Sequence, residues 1–351
     1  MSTTRPRRNR ASKTEGAKPI SLALQGGGSH GAFTWGVLDR LLADDRIRIE
    51  AISGTSAGAM NAAVLADGLM RGGRAEAREA LARFWEAIGR NGRFGPIHRG
   101  PLDHASGSWN LHGSPSYLMF DWLSRFMSPY QFNPLNFNPL LDTLRETVDF
   151  ENVRACDCIE LFVAATNVRT GKIRIFGNTE LSAEAVMASA CMPHVFQAVE
   201  VDGEPYWDGG YMGNPAIYPL IYNCETRDIM LVQINPMIRE AIPTTPPEIL
   251  DRLNEISFNS SLMREMRAIA FVTRLLEENQ IDQTRYKRML IHRIDAPARM
   301  KDLDASSKLN AEPEFLRYLF DIGHGAADAW LAANYAALGH RSSVDIREDY
   351  L

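Results

Sequence analysis

Three short stretches of the chain hold residue types that can do chemistry together. Gly54-Thr55-Ser56-Ala57-Gly58 is a G-x-S-x-G sequence between a run that reads as a strand and one that reads as a helix. In that setting a serine is carried on a sharp turn with its Oγ presented. The two glycines remove Cβ atoms where strand and helix backbones crowd together, and the helix N-terminus favours a developing alkoxide. Gly26, Gly27 and Gly28 follow the first apolar run and offer outward backbone N–H groups, a cradle for an anion of either kind, pyrophosphate or tetrahedral oxyanion. Asp208-Gly209-Gly210, after Pro205-Tyr206-Trp207, presents a carboxylate beside rings that exclude water, which makes Asp208 a candidate base for the Ser56 hydroxyl. Asp-Gly is equally an ordinary turn.

These residues leave more than one chemistry open. Gly26, Gly28 and Gly31 satisfy G-x-G-x-x-G, and Glu50 lies 22 residues past Gly28, so a nucleotide-binding Rossmann-type enzyme is one alternative. A histidine-assisted triad is another, with Ser56, Asp208 and either His292 or His324 in the order Ser, Asp, His. A non-catalytic lipid-binding protein on the same scaffold is a third.

The elements that must position these groups follow from the periodicity. Ile20 to Leu24 reads as a buried strand running into the glycines, and Phe33, Val37, Leu38, Leu41 and Leu42 recur at helical spacing after them. Ile47 to Ile52 is a second extended run, leading into the Ser56 turn and the helix-forming Ala59 to Leu65. Strand, turn, helix has therefore repeated, and neighbouring parallel strands would bring Gly26 to Gly28 beside Ser56 at their C-terminal ends. Further strands are expected at Ile159 to Ala165, Lys172 to Phe176, Asp228 to Ile234 and Met289 to Ile294, with Asp208 in a loop. The fold class is α/β, a sheet covered by helices.

Between Gly92 and Asn138 the texture changes to Gly, Pro, Asn, Ser and aromatics, with no period sustained over about ten residues. Trp109 to Phe137 holds eight of the chain's 31 aromatic residues. They read either as a local sub-core or as an apolar lid or lining for a greasy substrate. Asn138-Pro139 opens another helix, with Asn as the cap and Pro at its first position. Past Pro236, the Pro243 to Pro247 joint precedes a helix with Leu253, Ile256, Leu262, Met266, Ile269, Val272 and Leu276 near helical spacing, and a last helix is expected from Pro313 to Leu338. No fixed-period repeat occurs.

At the three motifs the sequence resembles the patatin-like phospholipase family. The matching blocks are Leu24 to Gly31 with Gly36-Val37-Leu38, Ser53 to Ala59, and Asp208 to Gly210, with Ala188 to Pro193 as a weaker fourth. The resemblance implies a three-layer α/β/α fold with a central, mostly parallel sheet. It also implies hydrolysis of a lipid acyl ester by a Ser-Asp dyad without histidine: Ser56 as nucleophile, Asp208 as base, and Gly26, Gly27 and Gly28 forming the oxyanion hole. No cofactor or metal is implied. The chain carries His30 where many members carry Arg or Lys, and Gln197-Ala198 where a proline is common. The division expected is a basic tail over 1–18, a catalytic domain over 19–235, and a C-terminal helical and strand extension over 236–351 packed on it.

Composition narrows the field. In 351 residues, 45% hydrophobic and 23% charged, 38 Lys plus Arg stand against 43 Asp plus Glu, and the net charge of -5 gives no global reason to expect nucleic-acid binding. The local exception is the start, where Arg5, Arg7, Arg8, Arg10, Lys13 and Lys18 face only Glu15. It reads as a disordered tail, with weak contact to anionic headgroups as the functional alternative. It lacks the apolar core of a signal peptide, and no stretch reaches 18 apolar residues, so a cytoplasmic protein with peripheral membrane contact is expected. Cys156, Cys158, Cys191 and Cys224 have neither zinc nor redox spacing and read as structural thiols.

Overall fold

The computed structural model describes residues 16–351. The basic run over 1–15 lies outside the described residues. Lys18, expected at the end of that tail, instead begins the first strand, and its Nζ donates to the carbonyls of Tyr335 and Leu338.

The repeated strand, turn, helix units are present: β1 (Lys18–Leu24), α1 (Gly31–Leu42), β2 (Ile47–Gly54) and α2 (Ala57–Phe94), the last interrupted at Gly72 and Gly73. The remaining strands are β3 (Glu160–Asn167), β4 (Ile173–Gly177), β5 (Val199–Val201), β6 (Glu204–Asp208), β7 (Asp228–Val232) and β8 (Leu290–Ile294). They form one sheet in the order β5-β6-β3-β2-β1-β7-β8, with β4 also on β3. The pairs among β1, β2, β3, β7 and β8 are parallel, and those of β4, β5 and β6 antiparallel.

Alternation along β1 sorts the two faces. Ile20, Leu22 and Leu24 point into a core shared with α1, α2 and the Pro313–Asn334 helix, while Ala23 joins Ile229, Leu231 and Ile291 under Leu220, Leu262, Met266 and Ile269. Helices therefore cover both faces, giving the three layers expected of such patterning. The chain beyond Pro236 supplies an edge strand of this sheet, β8, and a helix that crosses α1 so closely that a Cβ on Gly323 would meet the Phe33 carbonyl at 2.0 Å.

Three differences from the sequence reading bear on function. Asp208 closes a strand, β6, rather than lying in a loop; β5 and β6 form a hairpin about Asp202 and Gly203, both at positive φ, and are too short to carry a clear alternation. The Gly92 to Asn138 excursion contains short helices at Pro101–Ser106, Pro115–Phe126 and Pro129–Phe132, each opened by a proline at its start. The final helix ends at Asn334 and gives way to a 3-10 turn over Tyr335–Ala337.

Candidate active site

Sheet register brings the elbow and the acid together. One edge of β3 is taken by β4; the other is divided, β2 pairing along Glu160 to Val163 and β6 along Ala165 to Asn167. β2 thus ends with Gly54 opposite Val163, and β6 arrives from the other direction to end with Asp208 opposite Ala165. Val163 and Ala165 are two positions apart on β3, about 7 Å at the usual strand rise, with only Ala164 between them. Gly209 sits in the gap: a Cβ there would meet the Ala164 carbonyl at 2.1 Å and the Thr55 methyl at 3.1 Å.

Ser56 lies at the cap of α2 with φ 54° and ψ −123°, a left-handed conformation that a serine adopts only where its surroundings impose it. Its surroundings are tight. The Ser56 N–H donates to Ser189 Oγ at 2.9 Å, Thr55 Oγ1 donates to the Gly213 carbonyl at 2.7 Å, and Ser53 Oγ to the Ala216 carbonyl. The loop after Asp208 is thereby laid along the end of β2.

Asp208 is buried, and its environment sets its acidity. Burial pushes the carboxyl up to about 7, against a hydrogen bond from the Gly210 N–H at 2.7 Å, a hydrogen bond with the Ser56 side chain and the positive charge of Lys308, all of which pull it down. The backbone is fixed on both sides: the Asp208 N–H donates to the Cys191 carbonyl and its own carbonyl accepts from Thr166 Oγ1, each at 2.8 Å.

The glycine loop abuts the elbow. A Cβ on Gly26 would stand 2.6 Å from Ser56 Cβ, so only glycine lets the two turns touch. Gly28 has φ +58° and faces the Lys308 carbonyl, which a Cβ would meet at 2.4 Å. Of the three amides expected to face an anion, that of Gly26 is already spent, because it donates to Asn214 Oδ1 at 2.7 Å. Among the described residues the Gly27 and Gly28 amides have no acceptor. The Gly26 carbonyl accepts from Asn235 Nδ2 at 2.8 Å, and Gln25 Oε1 accepts from the Ile234 and Asn235 N–H groups at 2.9 Å. His30 anchors the loop from behind. Ser307 Oγ donates to the Asp304 carbonyl and so accepts from His30 Nε2 at 2.8 Å, while burial draws the imidazole down to about 3 and keeps it neutral.

The other candidates are engaged elsewhere. His292 bonds Asp228 Oδ1 at 2.9 Å, at the start of β7 and the opposite end of the strands from Ser56. His324 lies 3.7 Å from Asp39, in a hollow that Trp35, Arg78 and Phe320 also line and that includes neither Ser56 nor Asp208. The Glu50 carboxylate accepts from the Glu225 and Thr226 amides, so it is not turned toward the glycine loop as a ribose partner would be. The four cysteines are free thiols, and among the described residues no group of His, Cys, Asp and Glu could hold a metal ion.

Sequence reasoning missed Ser189, Asn214, Asn235 and Lys308. Both asparagines precede a proline, a signal that keeps the residue out of the helical region but does not say what its side chain holds. Ser189 lay in the weak fourth block, and Lys308 carries no local signal.

The patatin-like phospholipase family model matches residues 22–221 of the chain. No curated protein matches it. Among solved structures, it is similar to VipD from Legionella pneumophila, with 16% identity over 94% of this chain and 72% of that one and a TM-score of 0.37. It is also similar to ExoU of the Pseudomonas aeruginosa type III secretion system, in a complex with SpcU, with 15% identity over 89% of this chain and 53% of that one and a TM-score of 0.30. The chain spans about half the length of the latter.

Proposed function

The chain belongs to the patatin-like phospholipase family and is a lipid hydrolase on that ground, and from that premise we propose that it cleaves a lipid carboxylic ester with Ser56 as nucleophile, Asp208 as base, and the Gly27 and Gly28 amides as oxyanion donors. The observation that carries this reading is geometric: sheet register sets the buried Asp208, at the end of β6, against the end of β2, where Ser56 is held at positive φ, and burial raises the carboxyl to about 7. A base so poised is half deprotonated at neutral pH and strong enough to draw a proton from a hydroxyl as it attacks.

The cycle balances with the ester, water and the chain alone. Ser56 Oγ attacks the ester carbonyl carbon as its proton passes to Asp208, and the negative oxygen rests under the two glycine amides. The bond from the acyl carbon to the alkoxy oxygen then breaks, and Asp208 returns the proton to the leaving alcohol. Water gives a proton to Asp208 and attacks the acyl-serine; the bond from the acyl carbon to Ser56 Oγ then breaks, freeing the fatty acid, and Asp208 passes its proton to Oγ to restore the hydroxyl.

The flanks of the site fit a lipid surface. The excursion is strapped at one end to the loop carrying Lys308, through Leu111 N–H to Ser306 Oγ at 2.9 Å and Asn110 Nδ2 to the Asp302 carbonyl at 2.8 Å. At the other end Gln197 Nε2 donates to the Asn133 carbonyl and the Ala198 N–H to Tyr130 Oη, next to Cys191 and so to Asp208. Between these anchors Met119, Trp122 and Phe126 are 60 to 71% exposed, and Leu253 and Ile256 are exposed on the Pro246–Glu277 helix, whose Phe258 packs on Gly210. An apolar rim of this extent favours a non-aqueous partner. Among the described residues no helix is long and apolar enough to cross a membrane, so contact would be peripheral.

A fluorophosphonate probe with mass spectrometry tests the assignment. The adduct is expected on Ser56, with turnover of a panel of phospholipid, lysophospholipid and acylglycerol esters lost in Ser56→Ala and Asp208→Asn. No label on Ser56, or equal turnover by Ser56→Ala, would overturn it.

A further inference from the structure

The glycine loop is held by a chain of hydrogen bonds that starts outside the segment matched by the family model. Lys308 lies in the 3-10 turn Ser306–Leu309, and its Nζ donates to Asn235 Oδ1 at 2.8 Å. That bond decides which way the Asn235 amide faces, because an ammonium can only donate and must therefore meet the oxygen. Asn235 Nδ2 is left to donate to the Gly26 carbonyl at 2.8 Å. The Gly26 carbonyl and the Gly27 N–H belong to one peptide unit, which is trans, so a bond that fixes the carbonyl aims the N–H in the opposite direction.

We propose that Lys308 is a positioning residue for acyl transfer: through Asn235 it holds and polarises the Gly26–Gly27 peptide, whose N–H receives the negative oxygen. The proposal rests on the reading of Gly27 as an oxyanion donor. Each link strengthens the next, since a donor whose own acceptor is engaged by a cation becomes a better donor. The positive charge at the head of the chain thus reaches the reacting centre without touching substrate. Packing holds the arrangement as well as hydrogen bonding does: the Lys308 carbonyl lies against Gly28, and the neighbouring Ser307 accepts from His30. The same turn therefore grips the loop at Gly28, at His30 and, through Asn235, at Gly26. The ammonium has company of both signs, with Glu255, Asp251 and Asp208 opposed by Arg239, and desolvation lowers its pKa.

The full chain is assayed with p-nitrophenyl butyrate, an uncharged ester that offers no phosphate for Lys308 to bind. Wild type is first labelled with a fluorophosphonate; failure to label Ser56 would remove the acyl-hydrolase reading and this inference with it. With wild type labelled, Lys308→Met is expected to lower kcat about 10- to 100-fold with KM nearly unchanged, and Lys308→Arg to recover much of the loss. Asn235→Ala should fall as far, and the double variant no further than Asn235→Ala alone, because the two residues act in series. Unchanged kcat in Lys308→Met would overturn the proposal. So would a rise in KM seen only when the same variants are assayed on phosphatidylcholine vesicles, which would make the lysine a headgroup contact, and so would losses that multiply in the double variant. If Lys308→Met does not fold, Asn235→Ala and Lys308→Arg decide: a normal kcat in Asn235→Ala, or a further loss when Lys308→Arg is added to it, overturns the proposal, and a kcat lowered about 10- to 100-fold that Lys308→Arg leaves unchanged supports it.

Discussion

Around Ser56 and along the Pro115–Phe126 helix the protein treats polar and apolar groups in opposite ways. At the first site Gln25, Ser53, Thr55, Ser189, Asp208, Asn214 and Asn235 are buried, and each has a hydrogen-bond partner. At the second, Leu118, Met119, Trp122 and Phe126 stand in solvent on a helix with no buried residue. Buried polar groups that are all satisfied define one geometry, since any departure leaves a donor or acceptor unpaired at a cost of about 1 to 3 kcal/mol. Apolar side chains left in water have the reverse character: they impose no geometry and gain about 25 cal/mol per Å2 wherever they can be covered. On the proposed reading, precision belongs to the reacting centre and adhesion to its rim.

Changes at the centre should cost turnover and leave adhesion alone. Gly28→Ala forces a Cβ onto the Lys308 carbonyl at positive φ, and it is expected to lower kcat about 100- to 1,000-fold while vesicle flotation is unchanged. Loss of flotation as well would erase the distinction between the two regions. The acid limb of the rate profile should be set at the same place. With Asp208 raised to about 7, the reactive carboxylate disappears below that pH, and kcat/KM for an uncharged ester should fall about tenfold per pH unit. A limb near pH 4 would mean that Asp208 titrates as an ordinary carboxylate.

At the rim the effects are smaller and of the other kind. Trp122→Ser with Phe126→Ser is expected to weaken binding to phosphatidylcholine vesicles about tenfold or more, with turnover of a soluble short-chain ester kept. Equal loss on the soluble ester would show that the helix shapes the centre instead of carrying it to a surface.

The smallest effect concerns stability. The Asp208 pKa is raised above its ordinary value of 3.8, so its contribution favours the fold below about pH 4 and is lost as pH rises to about 7. Asp208→Asn, which carries no charge, should therefore melt a few degrees above wild type at pH 8 and near it at pH 4. A constant difference across that range would place the cause elsewhere.

Much of this was legible in the chain and some was not. Gly26, Gly28, Gly54, Ser56 and Gly58 reveal themselves because a turn between a strand and a helix needs specific residues at specific spacing, and the strands on either side have clear apolar runs. The Asp202-Gly203 hairpin signal was equally present, yet β5 and β6 hold only three and five residues, too few to stand out beside rings and a proline. The Pro115–Phe126 helix was hidden for a related reason: Leu118, Met119, Trp122 and Phe126 do recur at helical spacing, but over only twelve residues set among Gly, Pro and Asn-rich stretches, and that apolar side faces solvent.

What the sequence determined by itself is local: which residues turn, which strands are buried, and which side chains have the right chemistry, since all three depend on neighbours within a few positions. The tertiary structure decided the rest. That β2 and β6 end against each other on one edge of β3, that Asn214 takes the Gly26 amide while Asn235 takes its carbonyl, and that a lysine 252 residues after Ser56 steadies the glycine loop are all matters of register and crossing. Such contacts join positions whose separation along the chain carries no periodic signal, so only packing fixes them.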